Sequence, residues 1–134
     1  MTAITTRQVT ESPPALAIVL RVLAVVLTLA TAWIHFQLGG TLFLLNAIGY
    51  TVLAVALVLP GLGRIRWLVR YALIGFTTMT IVGWVLFGAR FDVAYIDKAI
   101  ELTLIGVLLV ESWLVDGGPI EVTRRALRTV GVAR

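Results

Sequence analysis

The sequence predicts an all-α integral membrane protein, a four-helix antiparallel bundle with both termini cytoplasmic. Three observations carry that expectation. The chain is 60% hydrophobic and only 13% charged, with a mean hydropathy of +1.02, whereas an ordinary soluble domain is about 45–50% apolar and about 25% charged. Four apolar runs approach the roughly 20 residues that a helix needs to cross about 30 Å of hydrocarbon. Arginine, finally, gathers in the flanks on one side of those runs. Residues 1–134 thus read as a single transmembrane domain.

The first run covers residues 14–37. Ser12 is its candidate N-cap, and Pro13 suits the first helical position, where a missing N–H costs nothing. A rival reading is a cleaved signal peptide, because "ATA" at 30–32 resembles a signal-peptidase site. Against it, the apolar run exceeds a typical signal core, Glu11 stands in the leader, and cleavage would leave three spans. "LGG" at 38–40 turns the chain into the second run, 42–59, which "LPGLG" at 59–63 breaks. The third run is 68–87; the fourth, 95–114, is stopped by "DGGP" at 116–119. Trp33 and Trp84 fall near one interface and Trp67 and Trp113 near the other, as an aromatic belt requires.

Orientation follows from the flanking cations. Arg7, Arg64, Arg66, Arg70, Arg124, Arg125, Arg128 and Arg134 lie outside the runs or at their ends on one side, against Arg90 and the helix-end Lys98 on the other. The positive-inside rule then puts both termini in the cytoplasm of a plasma (inner) membrane protein. The tail, 119–134, can form a short amphipathic helix with Ile120, Leu127 and Val130 towards one side and Arg124, Arg125 and Arg128 towards the other. Its expected partner is anionic lipid, with an acidic protein second. No motif accompanies the arginines to suggest nucleic acid.

Charged residues inside the runs are the informative ones, since such groups usually face a bundle interior. At 100° per residue, Glu101 lies about +40° from Asp97 and Glu111 about −40°, so the three acids share one stripe of the fourth helix. Thr28, Ala32 and His35 each lie within about 40° of Arg21 on the first helix. Arg21 and His35 are 14 residues apart, as are Asp97 and Glu111, about 21 Å of rise in each case. Antiparallel packing brings Arg21 opposite Glu111 and His35 opposite Asp97, with Glu101 close by.

Arg21 with Glu111 reads as a structural ion pair, because an arginine does not usefully titrate. His35 with Asp97 and Glu101 admits two readings: inter-helix polar contacts, or a proton relay or cation site built on an imidazole beside two repelling carboxylates. Lys98, at i, i+3 from Glu101, can neutralise it while itself pointing away from the stripe. Asn46 and Tyr50 are buried polar groups expected to bond to each other or to the bundle interior. Thr77, Thr78 and Thr80 can return their hydroxyls to backbone carbonyls. Gly75, Met79 and Gly83 line a face of the third helix suited to close helix approach.

The chain contains no cysteine and one histidine, which excludes disulfides, thiolate metal sites and a multi-histidine site within one copy. No Walker A loop, GxGxxG, HExxH or GxSxG motif occurs, so neither a catalytic residue nor a metal motif is expected. No cofactor is called for; a haem, chlorophyll or metal held by His35 alone is the remote exception.

The stretches "GGTLFLLNAIGY" at 39–50 and "YIDKAIELTLIGVLLVE" at 95–111 resemble small four-helix bacterial membrane proteins. In size and hydropathy the chain is also similar to the DoxX-like group, without a shared motif. The resemblance implies the architecture and carries over no catalytic residue. The expected function is a non-catalytic structural or accessory subunit of a larger membrane assembly, such as a bioenergetic one. Its partners would be the lipid bilayer and other membrane subunits or further copies of itself. The alternative is a small proton-coupled transporter or channel using His35, Asp97 and Glu101, and the weakest is pigment or haem binding through His35.

Overall fold

A computed structural model of the protein describes residues 14–131, and within them every regular element is helical. The Ser12 and Pro13 cap, with Arg7 and Arg134, lies outside the described residues. Helix α1 (Ala15–Leu38) follows Pro14 and is joined by a short turn to α2 (Thr41–Val58). Pro60 ends that second helix, because a proline lacks the N–H to continue it. The chain makes a 3₁₀ turn over Pro60–Ile65 and enters α3 (Arg66–Phe87). Helix α4 (Asp92–Asp116) and a short α5 (Pro119–Thr129) complete it. At the end of α4, Gly117 has φ of 81° and its N–H bonds back to the Ser112 carbonyl. That left-handed stop suits glycine, and Pro119 then starts α5 at a position tolerant of its ring.

Three segments are long and apolar enough to cross a bilayer: α1, α2 and Pro60–Phe87, which contains α3. This is a membrane protein. Helix α4, 25 residues long, departs from that apolar composition because it carries Asp97, Lys98, Glu101 and Glu111, all buried. Helix α1 packs against both α2 and α4, and α3 packs against α4 and α2. Side chains near the start of α1 meet those near the end of α4, and the reverse, so the two helices are antiparallel.

The interior is the reverse of a soluble core. Ala24, Leu57, Leu73, Leu104 and Leu108 fill the middle, while buried charges occupy both ends. Outward-facing positions are apolar, among them Val22, Val26, Leu45, Val52, Val55 and Leu86. Lipid accepts those side chains, whereas it offers no hydrogen bond to a polar group, so polar side chains must find one another inside.

Close helix approach occurs at a different glycine from those expected. Met79 is 68% exposed, and a Cβ added at Gly75 or Gly83 would meet nothing. Among the described residues no helix lies against Gly75, Met79 or Gly83 on that face of α3. The intimate contact is at Gly49 on α2, where a Cβ would stand 2.6 Å from the Phe76 ring. Phe76 also meets the Tyr50 ring edge-on at 4.9 Å between centroids, so glycine at 49 lets α2 and α3 close over an aromatic pair. Gly49→Ala should therefore destabilise the protein by about 1–3 kcal/mol through overpacking. Phe76→Leu should recover part of that loss in the double variant, measured by unfolding titrations in mixed micelles.

Candidate functional site

Two buried ionic clusters occupy opposite ends of the helices. The first centres on Glu111 of α4. Arg21 of α1 donates from Nε to Glu111 Oε1 at 2.8 Å. Arg70 of α3 donates from Nε to Oε2 at 3.2 Å and from its terminal nitrogen to Oε1 at 3.0 Å. Its other terminal nitrogen contacts Asp116 at the end of α4. The Arg70–Glu111 contact is bidentate, the geometry for which a guanidinium is preorganised. Beside it, Tyr71 and Ser112 share a hydroxyl hydrogen bond of 2.8 Å.

Arg70 corrects the sequence-based reading, which counted it among flanking cations. It is 1% exposed. Position 70 lies one turn inside α3, facing the acids of α4, and its charge is satisfied by two carboxylates rather than by headgroups. Arg21, with a side chain 15% exposed, is the outer partner of the pair expected from spacing, and Arg70 is the inner one.

The second cluster centres on Glu101, near the other end, where side chains from all of α1 to α4 meet. Tyr50 of α2 donates to Glu101 Oε1 at 2.7 Å, and Thr80 of α3 reaches the same oxygen at 2.9 Å. The Thr80 hydroxyl also stands 2.8 Å from both Tyr50 Oη and the Thr77 carbonyl, so two hydroxyl protons are shared among three acceptors. Lys98 contacts Glu101 Oε2, and its ammonium lies 3.1 Å from Asp97 Oδ2. Lys98 is buried and does not point away as its position on the helix suggested. Although its Cβ starts about 100° from Asp97, the four-carbon stem bends back to set the ammonium between the two acids.

His35 and Thr31 supply the α1 side of this cluster. Thr31 Oγ1 donates to Asp97 Oδ1 at 2.6 Å. His35 Nδ1 lies 2.9 Å from the Thr31 carbonyl; a carbonyl only accepts, so Nδ1 carries the proton in that contact. Nε2 faces Glu101 Oε1 at 4.0 Å, and Nδ1 lies 3.8 Å from Asp97 Oδ2. His35 is 3% exposed, and its ring lies 5.5 Å from that of Tyr50 and 5.9 Å from that of Phe43.

Other expected positions sort differently. Tyr50 bonds into the interior as anticipated for that residue, whereas Asn46 is only half-buried and lines a cavity instead of pairing with it. Asn46 lies one turn closer to the start of α2, where the cavity stands between it and the end of α3. Thr78 returns its hydroxyl to the Ile74 carbonyl at 2.8 Å, but the buried Thr77 hydroxyl has no partner among the described residues. The cavity, of about 420 Å³, is walled by Phe43, Phe76, Met79, Trp84 and Phe91 and reaches His35, Asp97 and Lys98 at its polar end. Thr31, Arg70 and Asp116 are site residues that sequence reasoning missed.

Removing Arg70 should be the most damaging single change at the Glu111 cluster. Arg70→Met is expected to cost about 3–5 kcal/mol, because it leaves Glu111 and Asp116 short of a buried cation. Arg21→Met should cost less, since Arg70 still pairs Glu111. Unfolding titrations of both variants check the order. The chain matches no protein-family model, no curated protein and no solved structure.

Proposed function

We propose that the protein is a non-catalytic accessory subunit of a larger membrane assembly, a four-helix antiparallel bundle in the bacterial inner membrane with both termini cytoplasmic. The observation that carries this reading is the apolar interval between the two clusters. From Glu101 to Glu111, about 15 Å of helix rise, the interior is closed by Leu104, Leu108, Leu57, Leu73 and Ala24, all fully or almost fully buried. A proton relay needs hydrogen-bonding groups in continuous reach, and among the described residues the side chains closing this interval are apolar apart from the isolated hydroxyls of Thr28 and Thr77. Thr28, the hydroxyl nearest it on α1, is already bonded to the Ala24 carbonyl at 2.7 Å.

Each cluster also uses its charges on itself. Arg21 and Arg70 answer Glu111 and Asp116; Lys98 answers Asp97 and Glu101. Buried pairs of this kind specify which helices meet and in what register, which is the work of a scaffold. For α4 as the fourth span, the support is that its charges turn inward while Ile96, Leu102, Val110 and Trp113 face out. The exposed Arg64, Arg124, Arg125 and Arg128 gather at the end that holds Glu111, and Arg90 lies at the other, the asymmetry expected of cytoplasmic and outer ends. Helix α5 buries Val122 and leaves its arginines exposed, as an anchor on anionic lipid would.

The competing reading is a proton-coupled transporter or channel through His35, Asp97 and Glu101, and flux separates the two. In liposomes with an imposed pH gradient, the wild type, Asp97→Asn and Glu101→Gln should all leak no faster than empty vesicles. A wild-type flux abolished by either substitution would overturn the accessory reading. Isolation from native membranes should recover the chain with other membrane subunits or further copies of itself. A haem or chlorophyll on His35 is disfavoured because Nε2 faces Glu101 at 4.0 Å, a gap too narrow for a macrocycle.

The absence of native cysteine makes the topology directly testable. Single cysteines at Ala89 and Arg128 are expected to differ. A membrane-impermeant maleimide should label A89C in spheroplasts and R128C only after permeabilisation.

A further inference from the structure

We propose that His35, Asp97 and Glu101 form a binding site for one divalent transition-metal ion, reached from the aromatic-walled cavity. Each offers a ligand atom, and the three atoms lie within 4.8 Å of one another. Donors bound to one zinc ion at about 2.0–2.2 Å stand roughly 3–4 Å apart, so a small inward movement of the two carboxylates closes the set. One imidazole and two carboxylates suit zinc or a similar first-row divalent ion.

The histidine supplies the independent observation. Its Nδ1 is committed to the Thr31 carbonyl at 2.9 Å, while Nε2 makes no hydrogen bond among the described residues and lies 4.0 Å from Glu101 Oε1. A neutral imidazole held in this way presents a lone pair at Nε2. Metal-binding histidines are characteristically oriented through the other ring nitrogen. The carboxylates are braced in the same manner: Thr31 holds Asp97, and Tyr50 and Thr80 hold Glu101. Side chains from α1, α2 and α3 thus fix all three ligands before any ion arrives.

Lys98 shows that this place already stabilises a cation. Its ammonium contacts Glu101 and lies 3.1 Å from Asp97 Oδ2, and its side chain also lines the cavity. Binding of a metal would exchange one cation for another, with Lys98 swinging into the cavity. Two carboxyl groups share the single Lys98 ammonium here, a donor set that suits a cation of higher charge. Three protein donors fall one short of a tetrahedral zinc set, and the cavity beside His35 and Asp97 is the route by which water would complete it.

The test uses the full chain in detergent, stripped with a chelator and titrated with Zn2+, with Co2+ as an absorbing probe. One saturable Zn2+ per chain is expected, together with Co2+ ligand-field bands in the visible. His35→Gln should abolish both. Thr31→Val should weaken Zn2+ binding by about 10–100-fold as an outer-shell loss, and Lys98→Met should tighten it by removing the competing ammonium. Retention of full affinity by His35→Gln would overturn the assignment, as would the lack of saturable binding in both the wild type and Lys98→Met. Lys98→Met keeps all three ligands, so its titration decides the matter even if His35→Gln fails to fold.

Discussion

Two glutamates on one helix organise everything else. Glu101 and Glu111 are fully buried, and a carboxylate removed from water must be paired or hydrogen-bonded on nearly every lone pair. Glu111 draws Arg21 from α1 and Arg70 from α3 to one end of α4. Glu101 draws Tyr50 from α2 and Thr80 from α3 to the other, with Thr31 3.4 Å away on α1. Apolar packing in lipid is nearly indifferent to helix rotation and register, because a leucine against a leucine gains little over a leucine against an acyl chain. These two acids are therefore what distinguishes the native arrangement from the many apolar alternatives.

The clusters have different chemical characters. At Glu111 both cations are guanidinium groups, charged at any accessible pH, and the contacts are multidentate. That end is a permanent clasp. At Glu101 the participants are an ammonium, an imidazole, a phenol and two threonine hydroxyls. Most of these donors can be re-aimed by rotation about single bonds, which a bidentate guanidinium contact does not allow. Adaptable chemistry sits beside a cavity, and rigid chemistry sits where the interior is closed.

Much of this was legible because helical periodicity is rigid. The 14-residue spacing of Arg21 and His35 on one helix and of Asp97 and Glu111 on another encodes the antiparallel register without reference to any fold. Four features escaped, each for a physical reason. Arg70 sat near the end of an apolar run, where an arginine ordinarily reaches back to headgroups; the contrary signal is that Thr77 lies within about 20° of it on the same helix face, so the position looks inward. Lys98 escaped because its Cβ direction misleads: a long side chain finds its partners by bending. Thr31 lies about 40° from His35, one turn away, but a hydroxyl that could bond its own backbone gives no sign in the sequence that it will choose a carboxylate. The glycines of α3 misled for a related reason, since small residues permit close approach without requiring it.

The same interactions indicate where the molecule can move. Helix α3 is fixed to α4 at one end by Arg70 and at its middle by Thr80. Beyond Thr80, Gly83, Trp84 and Phe87 of its remaining turns line the cavity. The loop that follows is braced locally: Arg90 lies over the Trp84 ring at 4.1 Å, and Trp84 Nε1 donates to the Ala89 carbonyl. Motion of this end of α3 would widen or close the cavity without disturbing the Arg70 clasp, and it would carry Thr80 towards or away from Glu101. Because Glu101 is bonded from α2, α3 and α4 and lies 3.4 Å from Thr31 of α1, a change in its partners, whether a proton, the Lys98 ammonium or a metal ion, reaches every long helix.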